Sequence, residues 1–212
     1  MRLITTHDWS QSVDERHVDA VLSVVDRWIG YGIEHLVLEV VAYAVDEAAE
    51  GSTRRVEVLV APDGSIAVAD DGRGTDTRRD VDGTWQVKPV MATADLRFYG
   101  AADAPLLTDG HPRAGMSVVA ACSSWLQHTN IRSDGAWTAR YESGLPVKAP
   151  TPVDPTPGST GTTVQFMPGP TLFGERRVDV PALRAMMDLI ATTADIRVSA
   201  VDRAGPGQTR GR

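Results

Sequence analysis

With 212 residues, 42% of them hydrophobic, the chain is bounded to one domain large enough to bury a core. A formal net charge of −7 without a run of basic residues gives no footprint for a polyanion, so no direct DNA binding is expected. The single cysteine, Cys122, excludes an internal disulfide, and the longest apolar stretch, Leu36 to Val45, is broken by Glu39 and too short for a bilayer, so a cytoplasmic protein without a membrane role is expected.

Residues 1–14 are polar and aperiodic and are expected to form a loose arm. Val18, Val21, Leu22, Val25 and Trp28 then recur at helical spacing, which predicts one amphipathic helix from Glu15 to Ile29. The segment Ile33 to Glu50, rich in Ala, Leu and Glu and followed by Gly51, predicts a second helix that is apolar on nearly every face and therefore buried. Arg55 to Val60 and Ile66 to Asp70 flank Pro62-Asp63-Gly64-Ser65, the pattern of an antiparallel hairpin.

From Asp71 to Gly110 the chain is irregular, with a short helix expected around Pro89 to Phe98; a connection of this length suits a lid or a binding loop. A helix is expected over Gly115 to Trp125, then strands over Gln127 to Arg132, Ala136 to Glu142 and Thr162 to Met167. The five prolines between Pro146 and Gly158 predict an extended connection without structure. Val180 to Thr193 reads as a last helix, Asp195 to Val201 as a last strand, and 203–212 as a disordered tail. The pattern predicts one α/β domain over 15–202: a two-layer sandwich in which a mixed, mostly antiparallel sheet is covered on one face by helices.

Two places carry chemistry. His35, Glu39, Tyr43, Asp46 and Glu47 share one stripe of the buried helix, and such a stripe must face a pocket or a partner. A carboxylate at Glu39 needs compensation, and His35 one turn earlier supplies it, either as a simple core pair or as the partner of a general base. The second place is Asp70-Asp71-Gly72-Arg73-Gly74 at a strand end, where Gly72 and Gly74 let the backbone approach a ligand. There the Asp70 carboxylate is placed to accept from an exocyclic amine; an ordinary acidic surface turn has the same composition.

In chain order these elements are Glu39-Val40-Val41, Ala44 to Ala48, the hairpin, Asp70 to Gly74, Gly115-x-Ser117-Val118-Val119 and Thr160-Gly161-Thr162-x-Val164-x-Phe166. This order resembles the ATP-binding domain of the B subunits of DNA gyrase and topoisomerase IV, in the gyrase, Hsp90, histidine kinase and MutL superfamily. The resemblance runs from about Val18 to Val201 and implies the Bergerat-type ATP-binding fold.

It implies Glu39 as general base with His35 as its partner, and Asp70 as acceptor of the adenine amine with Thr162 sharing a bridging water. Val68, Val90, Met91 and Val164 would wall the adenine, Gly74 would give clearance, and Arg73 and Arg132 would rim the mouth. ATP is the implied ligand. The likeness breaks at the phosphate end, where Ala42-Tyr43 replaces an Asp-Asn pair whose asparagine ligates magnesium, so hydrolysis is expected to be weak or absent. It breaks again at Gly110-His111-Pro112-Arg113-Ala114-Gly115, against a glycine-rich lid whose amides cradle phosphate; Arg113 is the expected substitute contact and only Gly110 and Gly115 remain. A regulatory module with a protein partner is the first expectation. The alternatives are a working ATPase whose magnesium is held by phosphates, water and Asp46, and a scaffold that binds no nucleotide.

Overall fold

In the computed structural model, residues 6–8, 11–79, 83 and 85–201 are described. The tail expected at 203–212 lies outside the described residues, as does part of the expected arm. The rest of that arm is held, because Leu96 N–H donates to the Thr6 carbonyl and His7 is fully buried.

The first predicted helix is two, α1 (Glu15–Ser23) and α2 (Val25–Tyr31). The break falls at Val24, where the Trp28 indole N–H bonds the Val21 carbonyl. Asp14 caps α1 by accepting from His17 N–H. Helix α3 (Ile33–Ala49) follows at Gly32, whose φ of 93° turns the chain between the two. Being apolar nearly all round, α3 lies in the core with Leu36, Val37, Leu38 and Val41 buried.

The hairpin forms as expected from β1 (Arg55–Val60) and β2 (Ile66–Asp70). Beyond it, β3 (Thr77–Arg79) and β4 (Trp85–Val87) make a small separate sheet that the sequence pattern did not announce. The helix expected at Pro89 to Phe98 is a series of turns, with Ala92 and Thr93 N–H both reaching the Pro89 carbonyl. Helix α4 (Met116–Ala121) is shorter than expected, and Trp125 belongs to the next strand. That strand, β5 (Ser123–Arg132), pairs with β6 (Gly135–Glu142).

The proline-rich stretch is not wholly irregular either, since β7 (Leu145–Pro146) and β8 (Thr151–Pro152) both pair with β6. Short edge strands tolerate proline because one of their sides needs no donor. Then come β9 (Gly161–Pro168), α5 (Pro170–Phe173), α6 (Val180–Asp188), which is shorter than expected, and β10 (Asp195–Ala200).

The strands form one mixed sheet in the order β10-β1-β2-β9-β5-β6-β7, antiparallel except for β1 with β10. This is the α/β class expected. Residues in register across the sheet share a face. One row runs Val60, Ile66, Phe166, Leu126, Tyr141 and is apolar; the next runs Val58, Val68, Val164, His128, Ala139. The third runs Val56, Asp70, Thr162, Asn130, Trp137. The inner face therefore turns polar toward one end of β2, β9 and β5, and that end carries the candidate site. Among the described residues no single helix is long and apolar enough to cross a membrane.

Candidate functional site

A cavity of about 310 Å³ opens between α3, the polar end of the sheet and the loops at 73–76 and 88–97. Val68, Val90, Met91 and Val164 give it apolar walls, and Asp70 and Thr162 stand side by side on adjacent strands at one end. The rest of the wall is mostly polar or charged, so the apolar side chains form one patch of a mixed lining.

Asp70 Oδ1 accepts from Gly72 N–H at 2.9 Å, which fixes the carboxylate at the turn. Burial raises its pKa to about 6, against the amide contacts from Gly72 and Thr162 that favour the charge. A group in this state gains from any donor that a ligand brings.

Two glycines are required by the protein's own chain here. A Cβ at Gly74, where φ is 80°, would stand 2.6 Å from Asn130 Oδ1 and 2.7 Å from the Ile131 carbonyl. One at Gly161 would collide with the Asp70 carbonyl oxygen. Fully buried Asn130 closes the loop by accepting from Thr75 N–H at 2.6 Å and donating to the Thr75 carbonyl at 3.1 Å. The clearance at Gly74 is thus toward β5.

Three other residues of the wall, Tyr43, Asp46 and Arg97, belong to an ion-pair network. The Tyr43 hydroxyl donates to Asp95 Oδ2 at 2.5 Å, and Arg97 Nη2 binds the same oxygen at 2.8 Å. Arg97 Nη1 also lies 3.7 Å from Asp46, whose carboxylate holds Arg113 Nη1 at 2.9 Å. The Arg113 guanidinium lies 4.7 Å from the Tyr43 ring centre and 4.0 Å from that of Phe98, a cation-π sandwich. Burial, and then the Asp95 charge, push the Tyr43 phenol well up, so it stays a neutral donor. Burial disfavours the Asp95 charge, but hydrogen bonds from Arg97 and Tyr43 outweigh it and lower its pKa.

Behind this network the Glu39 carboxylate is fully buried and accepts from Ala114 N–H and Gly115 N–H. His35 Nδ1 pairs with Asp109 at 2.7 Å, while its Nε2 stands 3.4 Å from Glu39 Oε1, close enough for attraction though poorly aligned. Burial opposes the charge on His35, yet Asp109 and Glu39 together raise its pKa to about 9. The segment before α4 is fastened in four places: His111 stacks on Tyr31 at 3.8 Å, Asp109 binds His35, Arg113 binds Asp46, and the amides at 114 and 115 bind Glu39.

The cavity wall brings together Asp70, Thr162, Val68, Val90, Met91, Val164, Arg73, Gly74 and Asp46 of the residues singled out in the sequence. Glu39, His35, Gly72, Arg113, Gly115 and Arg132 are outside that wall. Arg73 is bound to Glu47 at 2.8 Å, and Arg132 holds the Gly74 carbonyl at 3.1 Å, so both act on the loop itself. Arg113 binds Asp46 through Nη1, while its Nε and Nη2 are buried without a hydrogen-bond partner.

His128, Lys88, Thr75, Met116 and Arg97 also line the cavity and were not anticipated as site residues. For His128 a signal existed: Leu126, His128 and Asn130 alternate on β5 and all are buried. Burial lowers the His128 pKa to about 4, which keeps the imidazole neutral.

Magnesium does not fit this constellation. Tyr43, at the position that the resemblance assigns to a ligating asparagine, is a phenol committed to Asp95, and Asp46 is shared by two arginines. Among the described residues no group of three or more His, Cys, Asp or Glu side chains is arranged to hold a metal ion.

No protein-family model matches the chain. It is similar to the DNA topoisomerase 4 B subunit of Streptococcus pneumoniae, 36% identical over 146 residues, 68% of this chain and 23% of the relative. It is also similar to the DNA gyrase B subunit of Mycobacterium tuberculosis, 37% identical over 153 residues, 70% of this chain and 22% of the relative. The chain thus spans less than a quarter of the length of these relatives. Among solved structures, the 43K ATPase domain of Thermus thermophilus gyrase B in complex with an aminocoumarin superposes with a TM-score of 0.67 at 26% identity, covering 86% of this chain and 48% of that one.

Proposed function

Because this chain is a homologue of the B subunits of DNA gyrase and DNA topoisomerase IV, with the α/β fold of their ATPase domains, we propose that its cavity binds the adenine ring of a nucleotide or nucleoside. The observation that carries the reading is the placement of Asp70. It is a half-buried carboxylate on the cavity wall, next to Thr162 on the adjacent strand, in a wall that also holds Val68, Val90, Met91 and Val164. A carboxylate only accepts hydrogen bonds, and an exocyclic amine on a flat apolar ring supplies the donor with the matching shape.

In this reading the domain is a binding and regulatory module of the cytoplasm whose output is a contact with a protein partner, and it turns over ATP weakly or not at all. Support for the second part is that Glu39 has its oxygens on two main-chain amides and stands outside the cavity wall. A general base must reach the proton that it abstracts. The DNA-directed activities of the relatives' full chains are not carried over, and the net charge of −7 supports no direct grip on DNA.

A working ATPase is the second reading, favoured by His35 standing one turn from Glu39 in a charged state. Adenine binding is tested by fluorescence or calorimetric titration of wild type and Asp70→Asn with adenine-bearing ligands. Binding by wild type that is lost in the variant supports it; absence of binding by wild type sinks it. Phosphate release from Mg-ATP, with Glu39→Ala as control, separates the two readings of turnover.

A further inference from the structure

We propose that the ligand of this cavity is an adenine-type purine without phosphate, as free base or nucleoside, a narrowing that rests on the adenine reading above. Three observations on the same site carry it.

The first is that the main-chain donors a phosphate would need are already engaged. In the segment Gly110 to Gly115, the amides of Ala114 and Gly115 are taken by the Glu39 carboxylate, which is itself fully buried with His35 Nε2 3.4 Å away. Pro112 contributes no N–H at all. These amides and Glu39 stand outside the cavity wall, so they offer no free donor to a phosphate of a ligand seated there.

The second is that the arginines nearby are already neutralised. Arg73 is bound to Glu47, Arg97 to Asp95 and Asp46, and Arg113 to Asp46 through Nη1 alone, its Nε and Nη2 buried without a hydrogen-bond partner between the Tyr43 and Phe98 rings. Recruiting any of these to a phosphate strips a carboxylate of its partner, and Asp95 is only 1% exposed.

The third is the charge of the wall. Asp46, Glu47, Glu50, Asp70 and Asp76 face the cavity against Arg73, Arg97 and Lys88, so five carboxylates oppose three cations. Burial, and then the Arg97 charge, lower the pKa of Lys88, the remaining cation. A neutral ring system enters such a wall without penalty, whereas a polyphosphate brings several like charges to it. The cavity volume of about 310 Å³ is at the small end of ligand pockets, which run from roughly 300 to 1,000 Å³, and suits a base or nucleoside.

Isothermal titration of the full chain at pH 7.5 with adenine, adenosine, ADP and ATP, each with and without magnesium, decides the matter. Adenine or adenosine is expected to bind at least as tightly as ATP, with no effect of magnesium, and the stronger of the two identifies base or nucleoside. ATP or ADP binding ten times tighter than adenosine, or only with magnesium, overturns the proposal and leaves the adenine reading standing. No binding of any of the four overturns both.

Discussion

The Glu39 carboxylate accepts hydrogen bonds from the main-chain N–H groups of Ala114, at 2.5 Å, and Gly115, at 2.9 Å. A charged side chain from α3 thereby stitches the segment before α4 to the helix core. Breaking it leaves two buried amides without their acceptor and the His35 imidazolium with Asp109 alone, so Glu39→Ala is expected to cost roughly 3–5 kcal/mol in chemical unfolding. Phosphate release from Mg-ATP is expected at the same background rate in wild type and variant. A wild-type rate clearly above background and lost in Glu39→Ala favours the ATPase.

Asp70 sets the next expectation. Its charge-assisted bond to a ligand amine is of the kind worth about 1.5–3 kcal/mol, so Asp70→Asn should weaken adenosine binding by about 10- to 100-fold. The bond uses the ionised form, and the folded pKa is about 6, so affinity should fall as pH drops through 6 in wild type and stay flat in the variant. The stability sign is opposite: the folded state holds its proton to higher pH than the unfolded chain, so burial of the charge costs stability fully above pH 6. Asp70→Asn should therefore be no less stable than wild type at pH 7.5.

Three histidines fix the pH optimum of stability. His7 and His128 have folded pKa values of about 4 because burial keeps them neutral, so their contribution is complete above the unfolded value near 6.5 and is lost as pH falls toward 4. His35, with a folded value of about 9, is held charged by Asp109 and Glu39 against its burial; its contribution is complete below 6.5 and is lost as pH rises through 9. Unfolding free energy measured by urea titration should peak near pH 6.5–7, the alkaline limb, which carries one histidine, falling by roughly 3 kcal/mol and the acid limb, which carries two, by about twice that. In His35→Gln the alkaline limb should flatten; an unchanged limb would place its origin elsewhere.

At Gly74 a side chain has no room, since a Cβ would meet Asn130 Oδ1 and the Ile131 carbonyl under 3 Å at a positive φ. Gly74→Ala is expected to lower stability by about 1–3 kcal/mol and, by moving the loop that Asn130 anchors, to weaken adenosine binding as well. Thermal unfolding and the same titration measure the two effects.

Much of this was legible in the sequence because it repeats with a period. The hairpin, the burial of α3 and the stripe of His35, Glu39, Tyr43, Asp46 and Glu47 all followed from spacing and turn chemistry. The break at Val24 was not, since the helical pattern runs through it and the Val21 carbonyl is captured by a side chain seven residues on, the Trp28 indole. The prolines after Pro146 hid β7 and β8, which need only one bonded side. Hardest to foresee were Asp95, Arg97 and Asp109, loop residues with no periodic signature that close the network on Tyr43 and His35 from more than fifty positions away.

The most direct test of adenine recognition is a crystal structure grown with adenosine. The ring is expected between Val68, Val90, Met91 and Val164, with its exocyclic amine within hydrogen-bond distance of Asp70. Adenosine seated elsewhere, or a ring in this cavity whose amine points away from Asp70, would contradict it.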